Sequence, residues 1–181
     1  MTSKTFTYTA AGFAALATPL AAQDFYVGST VSSGEFDLGT GSSGEVSIQG
    51  LSVFGGARVD TGGGFFLGAE LQAAKSSGYG GITYEPFDDK QKVFQAEVHA
   101  GIVAGTTRYF GFVGVGDAPM SRDYGTDQSP LNVIGVGAEI GITDTTAIRV
   151  EAEIGKMSID GCSTHDDVMK REFSAGVVFS F

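Results

Sequence analysis

The sequence lacks several features that would place it in a familiar class of protein. It has a single cysteine, Cys162, in 181 residues, so no intrachain disulfide can form. It has no tryptophan and only 4 prolines, and its 28 glycines do not follow the three-residue period of collagen. Basic residues are also few, 11 against 21 acidic ones, which gives a formal net charge of −10. Because so acidic a chain would repel phosphates, no nucleic-acid partner is expected.

Long apolar runs are absent as well, except near the N-terminus. Residues 1–22 consist of a short segment with Lys4, an alanine-rich apolar core and a stretch of small residues. This is the arrangement of a secretory signal peptide, and we predict cleavage after Ala22, which leaves Gln23 first. The alternative is a membrane anchor, but the apolar run has about 13 residues, whereas a spanning helix needs about 20.

After residue 22, the chain is dominated by apolar–polar alternation. Eight segments rich in β-branched, aromatic and glycine residues are separated by turn-rich stretches. They cover residues 24–31, 45–59, 65–74, 92–104, 108–116, 131–142, 147–157 and 170–181. Around residues 49–52 the alternation slips in phase, which predicts a β-bulge. The pattern predicts an all-β fold in one domain, residues 23–181.

The connectors between these segments alternate in length. The long ones are 32–44, 75–91, 117–130 and 158–169, and the short ones are 60–64, 105–107 and 143–146. In an eight-stranded antiparallel up-and-down barrel, all long connectors would lie at one rim. Transmembrane barrels of the outer membrane show this asymmetry, with short periplasmic turns and longer external loops. A soluble, secreted ligand-binding barrel has the same period of two and remains an alternative on alternation alone.

The last strand carries the most specific pattern. Apolar residues occupy every second position up to an aromatic C-terminus, at Phe173, Ala175, Val177, Phe179 and Phe181. The final residues of this series, Ala175, Val177, Phe179 and Phe181, resemble the assembly signal of Gram-negative outer-membrane barrels. The sequence DFYVGS at 24–29 also resembles the first strand of small porin-like barrels of the opacity-protein and OmpA-type family.

The resemblance covers residues 23–181 and implies an eight-stranded transmembrane β-barrel in the outer membrane of a Gram-negative bacterium. It implies that Val177, Phe179 and Phe181 form a signal read by the barrel assembly machinery. It also implies contacts with outer-membrane lipid and lipopolysaccharide. Since tryptophan is absent, an interfacial girdle would use tyrosine and phenylalanine. The candidates are Phe25, Tyr26, Phe65, Tyr109, Phe110 and Phe181.

In a membrane barrel the polar face of each strand points into the lumen. The predicted lumen network consists of Glu70, Gln72, Gln95, Glu97, His99, Glu139, Arg149, Glu151, Glu153 and Glu172, together with Lys170 and Arg58. An eight-stranded interior is narrow enough to be filled by side chains, so we predict a hydrogen-bonded plug. The alternative is a narrow channel for a small solute or protons.

The predicted role is structural or surface-interactive, with recognition of an unidentified extracellular partner by the long loops. Some small outer-membrane barrels are lipid A deacylases or acyltransferases with a serine and a histidine at the rim or lipid side. Here His99 falls on an inward face, His165 falls in a loop, and no His-x-Ser pair occurs, so no enzymatic activity is expected.

No cofactor or metal is predicted. The sequence GTGSSG at 39–44 lacks the following helix that a dinucleotide fingerprint requires. A second group, Cys162, His165, Asp166 and Asp167, has ligand-type side chains in one segment. A zinc site needs about four ligands in tetrahedral array, and we interpret the segment as an exposed acidic loop.

Overall fold

A computed structural model describes residues 23–37, 45–79, 91–122, 125–158 and 167–181. These residues form eight β-strands. The strands are β1 Gln23–Asp37, β2 Glu45–Gly62, β3 Phe65–Tyr79, β4 Gln91–Ala104, β5 Thr107–Arg122, β6 Gly125–Gly141, β7 Thr146–Ser158 and β8 Asp167–Ser180. Each strand pairs antiparallel with its neighbours in sequence, and β8 pairs with β1 to close the barrel. The predicted fold class is confirmed. The proposed signal peptide lies outside the described residues.

None of the described residues forms a helix that is long and apolar enough to span a membrane.

Side chains point alternately into the barrel and away from it, as the strand period of two requires. On β3, Phe65, Leu67 and Leu71 point outward and are 49–59% exposed, whereas Phe66 and Glu70 point inward and are 3–4% exposed. Closure pairs the backbone of every strand on both sides, which a sheet surrounded by lipid requires.

The strands extend further into the predicted connectors than the sequence indicates. At one rim the short connectors are residues 63–64, 105–106 and 142–145; the first two are shorter than predicted, and the third is shifted by one residue. At the opposite rim, residues 117–130 were predicted as a loop, and this prediction is wrong. β5 and β6 remain paired from Asp117↔Pro130 to Arg122↔Gly125, leaving only 123–124 between them. Three other connectors, 38–44, 80–90 and 159–166, lie outside the described residues.

The β-bulge predicted around residues 49–52 is not present. Pairing of β1 with β2 is unbroken from Gln23↔Val59 to Asp37↔Glu45, and the register shift in β2 lies between Asp60 and Gly62 instead. The apparent slip arises because Ile48 and Phe54 are apolar yet point into the barrel, where they are 3% and 5% exposed. In the sequence, an apolar residue on the inward face therefore looks like a slip in the apolar–polar alternation.

Aromatic rings occupy much of the barrel interior, and each buried ring among the described side chains lies directly opposite a glycine on the neighbouring strand. The five pairs are Tyr26↔Gly56, Phe54↔Gly28, Phe66↔Gly101, Phe110↔Gly137 and Phe112↔Gly135. A Cβ atom on any of these glycines would lie 2.2–2.7 Å from an atom of the opposing aromatic side chain. The glycines therefore provide the space that the rings occupy.

Two of the predicted girdle residues belong to these pairs, so that part of the prediction is wrong. Tyr26 and Phe110 are 2% and 5% exposed inside the barrel, because glycines opposite them leave room for a ring. The other four candidates are 44–76% exposed and face outward, at Phe25, Phe65, Tyr109 and Phe181.

Candidate functional site

The lumen is organised around Arg149, which β7 places at the centre of the polar network and which is only 1% exposed. Its Nε and Nη2 atoms donate hydrogen bonds to Glu139 Oε1 at 3.1 and 2.6 Å, and Nη1 donates to Glu70 Oε2 at 2.6 Å. Nη1 also lies 3.5 Å from Glu151 Oε1. The guanidinium carbon lies 4.1 Å from the ring centroid of Phe54. Arg149 thus ties β3, β6 and β7 together across the interior.

A second arginine group closes the end of the lumen near the short turns. Arg58 donates from Nε to Asp24 Oδ2 at 2.8 Å, from Nη1 to Glu139 Oε2 at 2.5 Å and from Nη2 to Ser180 Oγ at 2.6 Å. Arg108 lies 3.7 Å from the same Asp24 oxygen. Glu139 therefore connects this group to Arg149 through its two carboxylate oxygens.

A third ionic group lies toward the other end of the lumen. Lys170 Nζ donates to Glu153 Oε1 at 2.9 Å and lies 3.1 Å from Glu172 Oε2. Gln95 Nε2 donates to Glu153 Oε2 at 3.0 Å, and Ser174 Oγ donates to Glu151 Oε2 at 3.1 Å. One ammonium group thus faces two carboxylates.

Between these groups, β4 presents Glu97 and His99 two residues apart on the same inward face. Glu97 Oε2 and His99 Nε2 are 2.8 Å apart, and Gln95 Nε2 donates to Glu97 Oε1 at 3.4 Å. The imidazole stacks on Phe110, with ring centroids 5.1 Å apart and an interplanar angle of 8°. The ring of His99 is therefore held on its face and at its edge.

An uncharged polar group lies on β1, β2 and β3. Thr30 Oγ1 and Ser52 Oγ are 2.5 Å apart, and Gln72 Nε2 donates to Ser52 Oγ at 3.0 Å. These side chains are short or neutral, so they fill the lumen without adding charge.

The lumen also contains an apolar cluster, formed by Ile48, Phe66, Phe110, Phe112, Leu131, Val133 and Met157. Leu131 and Met157, near the rim opposite the short turns, are each 1% exposed. Together with the ionic groups, these side chains fill the interior. Among the described residues the interior shows no wide pore, as expected at this strand number.

Among the side chains that the structure describes, carboxylates outnumber cations inside the barrel. The lumen-facing acids that are buried or half-buried are the seven residues Asp24, Glu70, Glu97, Glu139, Glu151, Glu153 and Glu172. The corresponding bases are the four residues Arg58, Arg108, Arg149 and Lys170. Buried charge without a partner is unfavourable, so this excess of negative charge requires compensation.

The outer surface is an apolar band with sharp limits. Side chains in the middle of the band are strongly exposed, with Ile134 at 60% and Val136 at 63%. Toward the rim opposite the short turns, the outward face of every strand becomes polar, at Glu35, Gln49, Lys75, Lys92, Asp117, Asn132, Lys156 and Arg171. At the short-turn rim the outward face carries aromatic residues, namely Phe25, Phe65, Tyr109, Phe179 and Phe181.

The dimensions of this band match a bilayer. On β3 the apolar face runs from Phe65 to Ala73, which corresponds to about 20 Å along the axis of a barrel with the usual strand tilt. An outward apolar band of about 25 Å with aromatic residues at its edge is typical of outer-membrane barrels.

All twelve residues of the predicted lumen network point inward, and Arg58 and Lys170 are buried. Glu70, Gln95, Glu97, His99, Glu139 and Arg149 are buried, and Gln72, Glu151, Glu153 and Glu172 are half-buried. Sequence reasoning missed Asp24 and Arg108, which complete the short-turn group. The outward apolar residues of the same strands set a phase that would have found both, since Val27 and Val31 on β1 and Val113 and Val115 on β5 are 46–63% exposed.

The residues of the predicted assembly signal lie on the outward face of the last strand. Val177, Phe179 and Phe181 are 38%, 49% and 76% exposed. The amide of Phe181 donates to the Phe25 carbonyl at 2.9 Å, so the terminal residue continues the β1–β8 seam.

The segment with Cys162, His165 and Asp166 lies outside the described residues, as does GTGSSG. On the outer surface at the rim opposite the short turns, Glu35 accepts a hydrogen bond from Arg171 at 3.0 Å.

Comparison with known proteins agrees with this architecture. A family model described as "Outer membrane protein beta-barrel domain" matches residues 6–181. No curated protein sequence matches the chain. Among solved structures, Neisserial surface protein A shares 14% identity at a TM-score of 0.56, covering 87% of this chain and 97% of that one.

Two further solved structures have the same fold. The attachment invasion locus protein Ail of Yersinia pestis shares 14% identity at a TM-score of 0.53, covering 88% of this chain and 99% of that one. The outer membrane enzyme PagL shares 15% identity at a TM-score of 0.57, covering 82% and 97%. At these identities the likeness concerns the fold alone.

Proposed function

The chain belongs to the family of outer-membrane protein β-barrel domains, and on that premise we propose that it acts at the bacterial surface. The filled lumen makes the barrel a rigid support. The rim opposite the short turns carries recognition of an extracellular partner. Residues 1–22 direct export and are removed.

The observation that carries this proposal is the outward apolar band combined with a filled interior. A soluble ligand-binding barrel would hide its apolar side chains and keep a cavity for the ligand. Here Val136 and Ile134 are more than half exposed, whereas Arg149 and Leu131 are each 1% exposed inside. The barrel therefore offers its apolar surface to lipid, and partners have access only to its ends.

The names of two structural neighbours are consistent with a surface role. One is described as a surface protein and the other as an attachment invasion locus protein. Both proteins have the same barrel fold, in which partners can reach the ends of the strands.

Lipopolysaccharide is the proposed lipid partner at this rim. The described lysines and arginines that point outward are Lys75, Lys92, Lys156 and Arg171, and all four lie at the polar limit of the band. Lys75 and Lys92 are directly opposite on β3 and β4. Like charges in this position repel each other, and an anionic lipid phosphate shared between them would remove the repulsion.

The test of orientation uses the single cysteine of the chain. Intact cells are treated with a membrane-impermeant maleimide, and labelling of Cys162 is compared with labelling of Asp144→Cys in a Cys162→Ser background. Asp144 lies in the exposed turn at the opposite rim. We expect labelling of Cys162 alone in intact cells and of both after lysis. Labelling of the Asp144→Cys protein alone in intact cells would refute the proposed orientation.

A second candidate function is a narrow channel for a small solute or protons. It is favoured by the polar side chains that follow one another along the lumen from Asp24 to Glu172. Planar-bilayer conductance distinguishes the two functions, since a channel would give a current that Glu97→Gln alters. If no current is resolved, the result favours a lumen whose role is to stabilise the barrel.

A further inference from the structure

Three side chains with metal-ligating atoms converge inside the lumen on β3 and β4. Glu70 and Glu97 are direct cross-strand partners, and His99 follows Glu97 on the same face. One carboxylate oxygen of each glutamate and one ring nitrogen of His99 all lie within 4.8 Å of one another. The three residues are 3%, 6% and 2% exposed.

Charge compensation at this position is incomplete. Two glutamates directly opposite each other repel, and burial strengthens the repulsion. Glu70 is paired with Arg149 at 2.6 Å. Among the described residues, no lysine or arginine forms an ion pair with Glu97, whose partners are His99 and the Gln95 amide. Uncompensated negative charge of the lumen is therefore located at Glu97.

We propose that Glu70, Glu97 and His99 bind one divalent transition-metal cation, of the type of Zn²⁺, within the lumen. Imidazole and carboxylate are suitable ligands for Zn²⁺, at distances of about 2.0–2.2 Å. The ligand atoms lie within 4.8 Å of one another. Tetrahedral Zn²⁺ requires them about 3.4 Å apart, so the side chains would move together around the cation. The cation would supply the positive charge that the pairing of Glu97 lacks.

Neighbouring groups hold two of the ligands in position. Arg149 Nη1 donates to the Glu70 oxygen at 2.6 Å, and Phe110 stacks on the His99 ring. Such outer contacts are the usual supports of metal ligands in proteins, and they fix the ligands before the metal arrives.

The experiment uses the mature chain refolded in detergent with Zn²⁺, because side chains fill both ends of the lumen. After passage over a chelating resin, the metal content of the heat-modifiable, folded fraction is measured. The chain has two histidines, so the His165→Ala variant retains His99 as its only imidazole. We expect about one Zn²⁺ per chain in the wild type and in His165→Ala.

Affinity measurements on ligand variants complete the test. We expect His99→Asn and Glu97→Gln to bind Zn²⁺ roughly 100-fold more weakly or not at all, by the scale of effects seen when metal-site groups are lost. Gln72→Asn, which changes a lumen side chain outside the site, is the matched control and should bind normally.

If the ligand variants do not fold, the His165→Ala protein alone decides the question. Cu²⁺ bound to it should show coordination by one imidazole nitrogen in electron paramagnetic resonance. A metal-free wild type after refolding with Zn²⁺ would mean that a proton, not a metal, compensates Glu97. Loss of binding in His165→Ala would move the metal to the 159–166 connector. Either result overturns the proposal.

Discussion

Arg149 and Glu139 are direct cross-strand partners on β7 and β6, and the guanidinium reaches one carboxylate oxygen through two nitrogens at 2.6 and 3.1 Å. The second carboxylate oxygen of Glu139 accepts a hydrogen bond from Arg58. This single carboxylate therefore forms ion pairs with two buried arginines and joins the centre of the lumen to its short-turn end.

Removing the Glu139 carboxylate should destabilise the barrel strongly. Glu139→Ala leaves Arg149 and Arg58 without a shared anion, and breaking a buried ion pair costs about 3–5 kcal/mol. The free energy of unfolding is measured by urea titration in lipid vesicles. The control is Glu35→Ala, which breaks the surface pair with Arg171 and should change stability by at most about 1 kcal/mol. Equal effects of both substitutions would contradict the network described here.

A lysine in the middle of the apolar band should prevent stable insertion, whereas one at its edge should not. Val136 and Asn132 both point outward on β6. Val136→Lys should cost about 2–4 kcal/mol and Asn132→Lys about 0–1 kcal/mol, because the penalty for lysine falls from the bilayer midplane to the interface. The measurement is the heat-modifiable fraction after folding into vesicles, with the free energy of unfolding. A soluble barrel would tolerate both substitutions equally.

A methyl group at Gly135 should clash with the ring of Phe112. The added Cβ would lie 2.2 Å from Phe112 Cζ and 2.6 Å from the carbonyl oxygen of Ala152, so replacing the ring relieves only one of two close contacts. Overpacking of this kind costs about 1–3 kcal/mol. Gly135→Ala should lower the free energy of unfolding by this amount, and Phe112→Leu should partly restore it in the double variant. Gly111→Ala is the control, since its Cβ would meet only the Gly135 carbonyl oxygen, at 3.7 Å. Additive losses in the double variant would refute the contact.

The terminal phenylalanine should affect assembly in cells more than stability. Phe181→Ala should reduce the amount of folded protein in the outer membrane, while its stability after refolding in vitro stays close to that of the wild type. Phe173→Ala is matched to it, since the two rings are 70% and 76% exposed on the same face of the last strand. Fractionation and the mobility shift of unboiled samples report the assembled amount. Equal assembly of both variants would remove the proposed role of Phe181.

Much of this architecture follows from the sequence because alternation and connector length are local signals. The period of two places Glu97 and Arg149 on the polar face of their strands. The alternating connector lengths indicate an up-and-down membrane barrel, in which that face points inward. The interior aromatic residues could not be predicted in this way. Whether Phe54 or Phe110 fits the lumen depends on Gly28 and Gly137 on a neighbouring strand, and that pairing is set by register.

Strand ends were the other failure, for a related reason. Residues 117–130 contain proline, glycine and aspartate, which indicate a loop when each strand is considered alone. The pairing of β5 with β6 overrides these preferences up to Arg122 and Gly125. Local propensity is weak in strands, since the partner strand decides how far pairing continues.

The pairing of each interior ring with one glycine restricts how this sequence can diverge. Moving the ring of Phe112 across to position 135 would preserve the filled volume, but it requires two substitutions and brings a Cβ within 2.6 Å of the Ala152 carbonyl oxygen. If position 135 is substituted first, two rings compete for the space of one. If position 112 is substituted first, a cavity remains. Both intermediates are less stable than the starting protein. The members of each pair should therefore change together or remain fixed in descendants of this chain, while the outward residues between them vary freely among apolar types.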